Sequence, residues 1–252
     1  MDTKYNTIKS TIKTCDLILF RAHDIVSNII SKVESFVDGN GEYTHVGMCI
    51  RGSSFWYPNG APFWLNKDKI YILESTMNGT FKSVPDVEGL NKSCVQLRDL
   101  DKVIEYYMKD PRNEIGLLKL KDSCRATDID VESEKLQAEY EKYRGIHYDI
   151  SPIDLLSTVC PIVRTIQGNR LFKSVRDYLV ALCFGRHRDG SNDNDNIVSN
   201  WQFCSELVAN IYVDLNMLPH DVDPATVIPS DIVVCNEKKH IFHIFEPIIS
   251  LM

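Results

Sequence analysis

Apolar and polar residues change period several times along this chain, and the changes mark out its elements. Residues 4–14 are polar with a weak helical pattern, and Cys15-Asp-Leu-Ile-Leu-Phe20 is a short apolar run of strand type. Ile25, Ile29, Val33 and Phe36 then recur at helical spacing until Asp38-Gly-Asn-Gly41 stops the helix. In Glu42–Ile50 strict alternation predicts a strand with Val46, Met48 and Ile50 on one face and Tyr43, His45, Gly47 and Cys49 on the other. An aromatic- and proline-rich loop, 51–68, leads to a second strand, Lys69–Thr76, whose apolar run ends at Glu74. Val84 and Val95-Gln-Leu suggest short connecting strands. Asp101–Lys109 and Glu132–Arg144 read as surface helices with a strand, Ile115–Leu120, between them.

After Gly145-Ile-His-Tyr-Asp149 two apolar stripes follow, Ile153 to Val163 and Leu171 to Leu182, which predict helices forming core or cleft wall. The polar run 189–200 cannot build a core and is a candidate lid. Leu207, Val208, Ile211, Tyr212 and Leu215 then mark one face of a helix, and Cys204 projects from that face in its first turn. Val227–Cys235 and His240–Phe245 read as the last turn and hairpin-like strands. No internal repeat or flexible linker interrupts the pattern, so 252 residues are read as one domain, 1–252.

Composition narrows the function classes. A formal charge of −7 argues against broad nucleic-acid binding, which needs a basic face. No apolar run approaches membrane-spanning length, and the first residues lack the apolar core of a signal peptide. The expected setting is therefore cytoplasmic or intracellular. Peripheral membrane contact through the stripes between 152 and 184 stays open. The eight cysteines are scattered, several within apolar segments, which points to reduced thiols. Without a CxxC or HxxxH pair no metal site or cofactor is expected. His240 and His243 read as edge-strand histidines rather than ligands.

Three residues carry the candidate chemistry. Cys204 sits where unpaired amide N–H groups and the helix dipole favour an anion, and the thiolate is the reactive form of cysteine. The alternative is an ordinary buried small hydrophobe. His45 lies beside Gly47, whose missing side chain leaves room for a group to approach the imidazole; the alternative is a core histidine bonded to a carbonyl. Glu74 could accept a hydrogen bond from His45, or be a solvated glutamate at a strand end.

Taken together, Asp16-Leu-Ile-Leu-Phe, Tyr43-Thr-His-Val-Gly-Met, Leu73-Glu74-Ser, Gly145-Ile-His-Tyr-Asp149, Phe203-Cys-Ser-Glu-Leu-Val and Ile228-Pro-Ser-Asp231 resemble the circularly permuted papain-like enzymes of the NlpC superfamily. The likeness is to the YiiX/YaeF type and its poxvirus members. It implies an α+β, permuted papain-like fold: an antiparallel sheet with the nucleophile-bearing helix packed on it, and helical insertions at about 86–140 and 160–198. It also implies Cys204 as nucleophile, His45 as general base, Glu74 as the group orienting the imidazole, and Tyr148 lining the active site. Cys15 stands where the family usually has glycine, a loop position whose change should not affect the chemistry.

The resemblance implies a thiol hydrolase or acyltransferase acting on a peptide, amide or acyl-lipid linkage through an acyl-enzyme. A viral origin, with host cytoplasm or virion as the setting, is suggested by the poxvirus members and by the lysine-, asparagine- and isoleucine-leaning composition. The competing reading is a catalytically silent interaction module that retains the fold; intact Cys204, His45 and Glu74 count against it. Oligomeric state and substrate are open at this point.

Overall fold

The computed structural model describes residues 4–22, 43–55, 57, 62–76, 84–90, 93–125, 129–148, 201–227, 229–233 and 243–252. The expected helix at 24–37, the apolar stripes between 152 and 184 and the candidate lid 189–200 lie outside these residues.

In chain order the elements are α1 (Lys4–Ile8), β1 (Leu17–Arg21), β2 (His45–Arg51), β3 (Ile70–Thr76), β4 (Cys94–Asp99), α2 (Leu100–Tyr107), β5 (Glu114–Leu118), α3 (Ile129–Tyr143), β6 (His147–Tyr148), β7 (Trp201–Gln202), α4 (Cys204–Asp214), α5 (Pro229–Val233) and β8 (Ile249–Ser250). The strands form one sheet in the order β7-β6-β4-β3-β2-β1-β5-β8. All neighbours pair antiparallel except β6 and β7, which run parallel. The architecture is α+β. The span 86–140 holds β4 and β5, interior strands of the sheet, and is not peripheral.

Alternation along the strands supplies two cores. Leu17, Leu19, Val46, Met48, Ile50, Tyr71, Leu73, Val95 and Leu97 face α3 and α4. Ile18, Phe20, Cys49, Ile70 and Ile72 face α1 and α2. Each helix presents one buried stripe: Leu100, Val103, Ile104 and Tyr107 on α2, and Ser133, Leu136, Tyr140 and Tyr143 on α3. Because both faces are covered, the strands read as near-continuous buried runs. Asp99 begins α2 by accepting a hydrogen bond from the Asp101 N–H at 3.1 Å.

Asp16, the first residue of the Asp-Leu-Ile-Leu-Phe run, is buried and anchors the start of β1. Its carboxylate accepts from the Lys13 N–H at 2.7 Å, the Leu120 N–H at 2.9 Å and the Arg125 guanidinium. Burial pushes its pKa up, and these donors pull against that shift. Cys15, just before it, has φ +66°, the left-handed region that glycine occupies without strain.

Three expected elements differ. The segment read as the last turn and hairpin-like strand from 227 to 235 contains α5, because Pro229 presets φ for a helix start and Asp231 follows in the first turn. Of the strand expected at 240–245, residues 240–242 lie outside the described residues; His243–Ile244 form a turn and Phe245 makes an isolated bridge to Leu120. The strand that closes this edge is β8, beyond Pro247, paired with β5. Val84 is buried in a bend, not in a strand.

Candidate active site

Three adjacent elements bring the predicted residues together. His45 is the first residue of β2 and Cys204 the first of α4, and α4 packs on β2 and β3. His45 shares a sheet face with Cys49, opposite the face that α4 covers, so imidazole and thiol meet at the end of the strand rather than through the sheet. Glu74 lies near the end of β3, on the same side as His45.

His45 Nε2 lies 2.6 Å from Glu74 Oε2, and the ring also hydrogen-bonds the Cys204 side chain. With Nε2 committed to the carboxylate, Nδ1 is the ring nitrogen left for a second partner. The His45 side chain retains 13% of its exposure, whereas Glu74 is fully buried. Phe20 of β1 lies against the ring, with centroids 5.8 Å apart. Imidazole orientation is thus set from three sides.

Burial alone would lower the imidazole's proton affinity. The Cys204 sulfur and then the Glu74 carboxylate outweigh it and raise His45 to about 10. The ring is therefore an imidazolium across the neutral range, donating Nε2–H to Glu74. Relative to an unfolded value near 6.5, its contribution to stability is full below about pH 6.5 and is lost as pH rises through about 10. Burial would raise Glu74, but His45 and the Arg98 guanidinium hold it below its ordinary value. Its contribution is present above the unfolded value and lost as pH falls through the lower, folded one.

Gly47 does a different job from the one expected. A Cβ there would stand 2.6 Å from Ile72 Cδ1 and Cγ1 and 3.2 Å from Glu74 Cβ. The space beside His45 is filled by β3 itself, which lets Glu74 come close enough to bond the ring. Gly47→Ala should therefore cost about 1–3 kcal/mol through overpacking and lengthen the His45–Glu74 contact. A thermal melt with the His45 NMR titration checks both.

The helix that begins at Cys204 is fixed at both ends. Ser205 Oγ donates to the Val227 carbonyl at 2.7 Å, Tyr212 Oη donates to the Cys15 carbonyl at 2.5 Å, and Lys142 Nζ pairs with Asp214 Oδ2 at 2.6 Å. Glu206 Oε2 accepts from the Phe203 N–H at 3.3 Å, and Phe203 has no side-chain acceptor to complete a capping box. The N–H groups of Cys204, Ser205 and Glu206 have no carbonyl four residues back within the helix. Cys204 itself is buried, at 4% exposure.

Tyr148 pairs in β6 with Gln202 of β7, two residues before Cys204; its side chain is outside the described residues. Among the described residues Cys15, Cys49, Cys94, Cys124 and Cys204 form no disulfide. Among the described residues no group of three or more His, Cys, Asp and Glu could hold a metal ion. His243 is exposed in a turn, and its carbonyl accepts from Lys121 Nζ. Among the described residues no helix is long and apolar enough to cross a membrane.

Two neighbours of the site escaped the sequence reading. Phe20 was read simply as part of an apolar strand. Arg98, at 2% exposure, lies 3.5 Å through Nη1 from Glu74 Oε1. The strand signal at 95–97 stopped short of it, and polar residues alternating at 96 and 98 look like a solvated face until α2 is seen to cover them.

No family model matches the chain, and no curated protein matches it. Among solved structures, a protein described as metalloprotein YiiX from Escherichia coli O157:H7 is similar over 95% of this chain and 96% of its own. Identity is 13% and the TM-score 0.43, a level of likeness that carries no argument about chemistry.

Proposed function

We propose that this chain is a cysteine hydrolase or acyltransferase with a permuted papain-like fold, a single domain over 1–252, acting on an amide or ester linkage of a peptide or acyl lipid. The observation that supports it is the imidazole of His45, held between the Cys204 thiol and the Glu74 carboxylate and retaining its proton against burial. A sulfur that has given its proton to an imidazole is a nucleophile ready to attack a carbonyl.

The steps follow from the arrangement. Cys204 Sγ adds to the carbonyl carbon, and the developing oxyanion is met by N–H groups at the start of α4. Collapse breaks the bond to the leaving amine or alkoxide, which takes the proton from His45 Nδ1 and leaves a thioester on Cys204. His45, now neutral, removes a proton from water or from an acceptor nucleophile, whose attack frees Cys204. Throughout, Glu74 holds Nε2–H and stabilises the positive ring. Tyr148, beside Gln202, lines the approach in this reading.

Glu74→Gln should lower turnover by roughly 10- to 100-fold, less than loss of the nucleophile, since acid–base assistance is worth about 10²–10⁴ and glutamine retains part of it. The same change should flatten the acid limb of stability against pH. Turnover on panels of amides and esters, with melting temperatures as folding controls, tests the reading. Catalysis by wild type that persists in a folded Cys204→Ala protein would refute it. An inert wild type would favour the silent interaction module.

A further inference from the structure

We propose that Arg98 is a positioning residue for the Cys204–His45 pair, holding the Glu74 carboxylate charged and aimed at the imidazole from beneath. The proposal rests on the cysteine-enzyme reading of the site.

The two oxygens of Glu74 divide their work. Oε2 bonds His45 Nε2 at 2.6 Å, while Oε1 accepts no hydrogen bond and faces Arg98 Nη1 at 3.5 Å. Arg98 is in turn held by Gln96, whose Oε1 accepts from Nε at 2.9 Å and also from Nη2. Gln96 sits directly opposite Glu74 across the β3–β4 register. One chain of contacts thus runs from α4 through β2 and β3 to β4: Cys204, His45, Glu74, Arg98, Gln96.

The other groups near Arg98 are the Tyr107 hydroxyl of α2, the Asp86 carboxylate and the Cys94 thiol. Asp86 is committed to backbone, accepting from the Glu88, Leu90 and Leu97 N–H groups. Glu74 is the carboxylate that shares an ion pair with the guanidinium.

Stability does not explain such a pair. Two charges taken fully out of water recover little net free energy from each other, and apolar replacements of similar volume are often as stable. What the charge does supply is a fixed ionisation state. A carboxylate buried with no cation beneath it takes up a proton, and a neutral acid stabilises an imidazolium poorly. Arg98 lets Glu74 keep its charge whether or not His45 carries a proton, which a cycle passing through neutral His45 requires.

The test is the NMR titration of the His45 ring nitrogens from pH 5 to 11 in wild type, Arg98→Met, Arg98→Lys, Glu74→Gln and Glu74→Gln/Arg98→Met, with melting curves for each. Wild type should remain imidazolium to about pH 10. Arg98→Met should lose that proton at a pH lower by one unit or more, about a tenfold loss in proton affinity. Arg98→Lys should recover most of it. In the Glu74→Gln background Arg98→Met should change nothing further, because the arginine acts through the carboxylate.

A folded Arg98→Met protein with a wild-type titration overturns the proposal. So does an equal drop on adding Arg98→Met to Glu74→Gln, which would mark a general structural effect. If Arg98→Met does not fold, the charge-neutral double variant decides: matching Glu74→Gln supports the proposal and a further drop refutes it. A wild-type His45 that titrates near 6.5 would instead refute the reading of the site, and the proposal with it.

Discussion

Cys204→Ala should fold normally and lose turnover by about 10⁴-fold or more, the scale on which removing one member of a nucleophile–base unit disables the whole. The sulfur is small, and α4 is fixed by contacts that do not involve it: Ser205 to Val227, Tyr212 to Cys15, and Asp214 to Lys142. A stability cost of about 1 kcal/mol is expected, that of an ordinary point change. The variant has a second readout. The Cys204 sulfur is the largest influence raising His45 against burial, so His45 in Cys204→Ala should titrate at a lower pH than in wild type. Steady-state assay, thermal melt and His45 NMR titration together check the prediction.

His45→Ala should come within about tenfold of that loss, and adding it to Cys204→Ala should lower the residual rate little further, since the two residues share one step. Folding should be only modestly affected. The ring contributes its packing against Phe20 and the bond to Glu74, and Arg98 remains to balance the carboxylate. A double-mutant cycle on turnover, with the melts alongside, measures the coupling.

How much of this was legible before the structure depended on how local each signal was. His45 and Cys204 each sit at the start of a strongly patterned element, where alternation or helical spacing assigns a side chain to a face. In the structure the Cys204 side chain lies close enough to act on the His45 ring. Glu74 was ambiguous because its burial depends on β4 and α2 covering it, and neighbours distant in sequence leave no mark on Leu73-Glu74-Ser. Arg98 was illegible for the same reason: a polar residue at every second position of a strand signifies solvent until another layer lies on that face. Gly47 was read correctly as making space, but for the wrong occupant, since Ile72 comes from a different strand. At the C-terminal end the alternation in 240–245 suggested a strand. Among the described residues there, the chain turns at His243–Ile244, bridges at Phe245 and pairs in the sheet beyond Pro247, at Ile249. In 227–235 the apolar run outweighed a proline–serine–aspartate helix start that was equally visible.

The central claim is that Cys204 is the nucleophile and His45 the base that serves it. Its most direct test is the rate of carbamidomethylation at pH 6.5, mapped by mass to each cysteine, in wild type and His45→Ala. An unassisted thiol is about 1% thiolate at that pH, and a thiolate stabilised by a neighbour is intrinsically less nucleophilic, with a Brønsted slope of about 0.5. The net expectation is that Cys204 reacts roughly tenfold faster in wild type than in His45→Ala. It should also react well ahead of Cys15, Cys49 and Cys94, which are buried away from the site. Equal Cys204 rates in the two folded proteins, or faster labelling of another cysteine with Cys204 inert, would contradict the account.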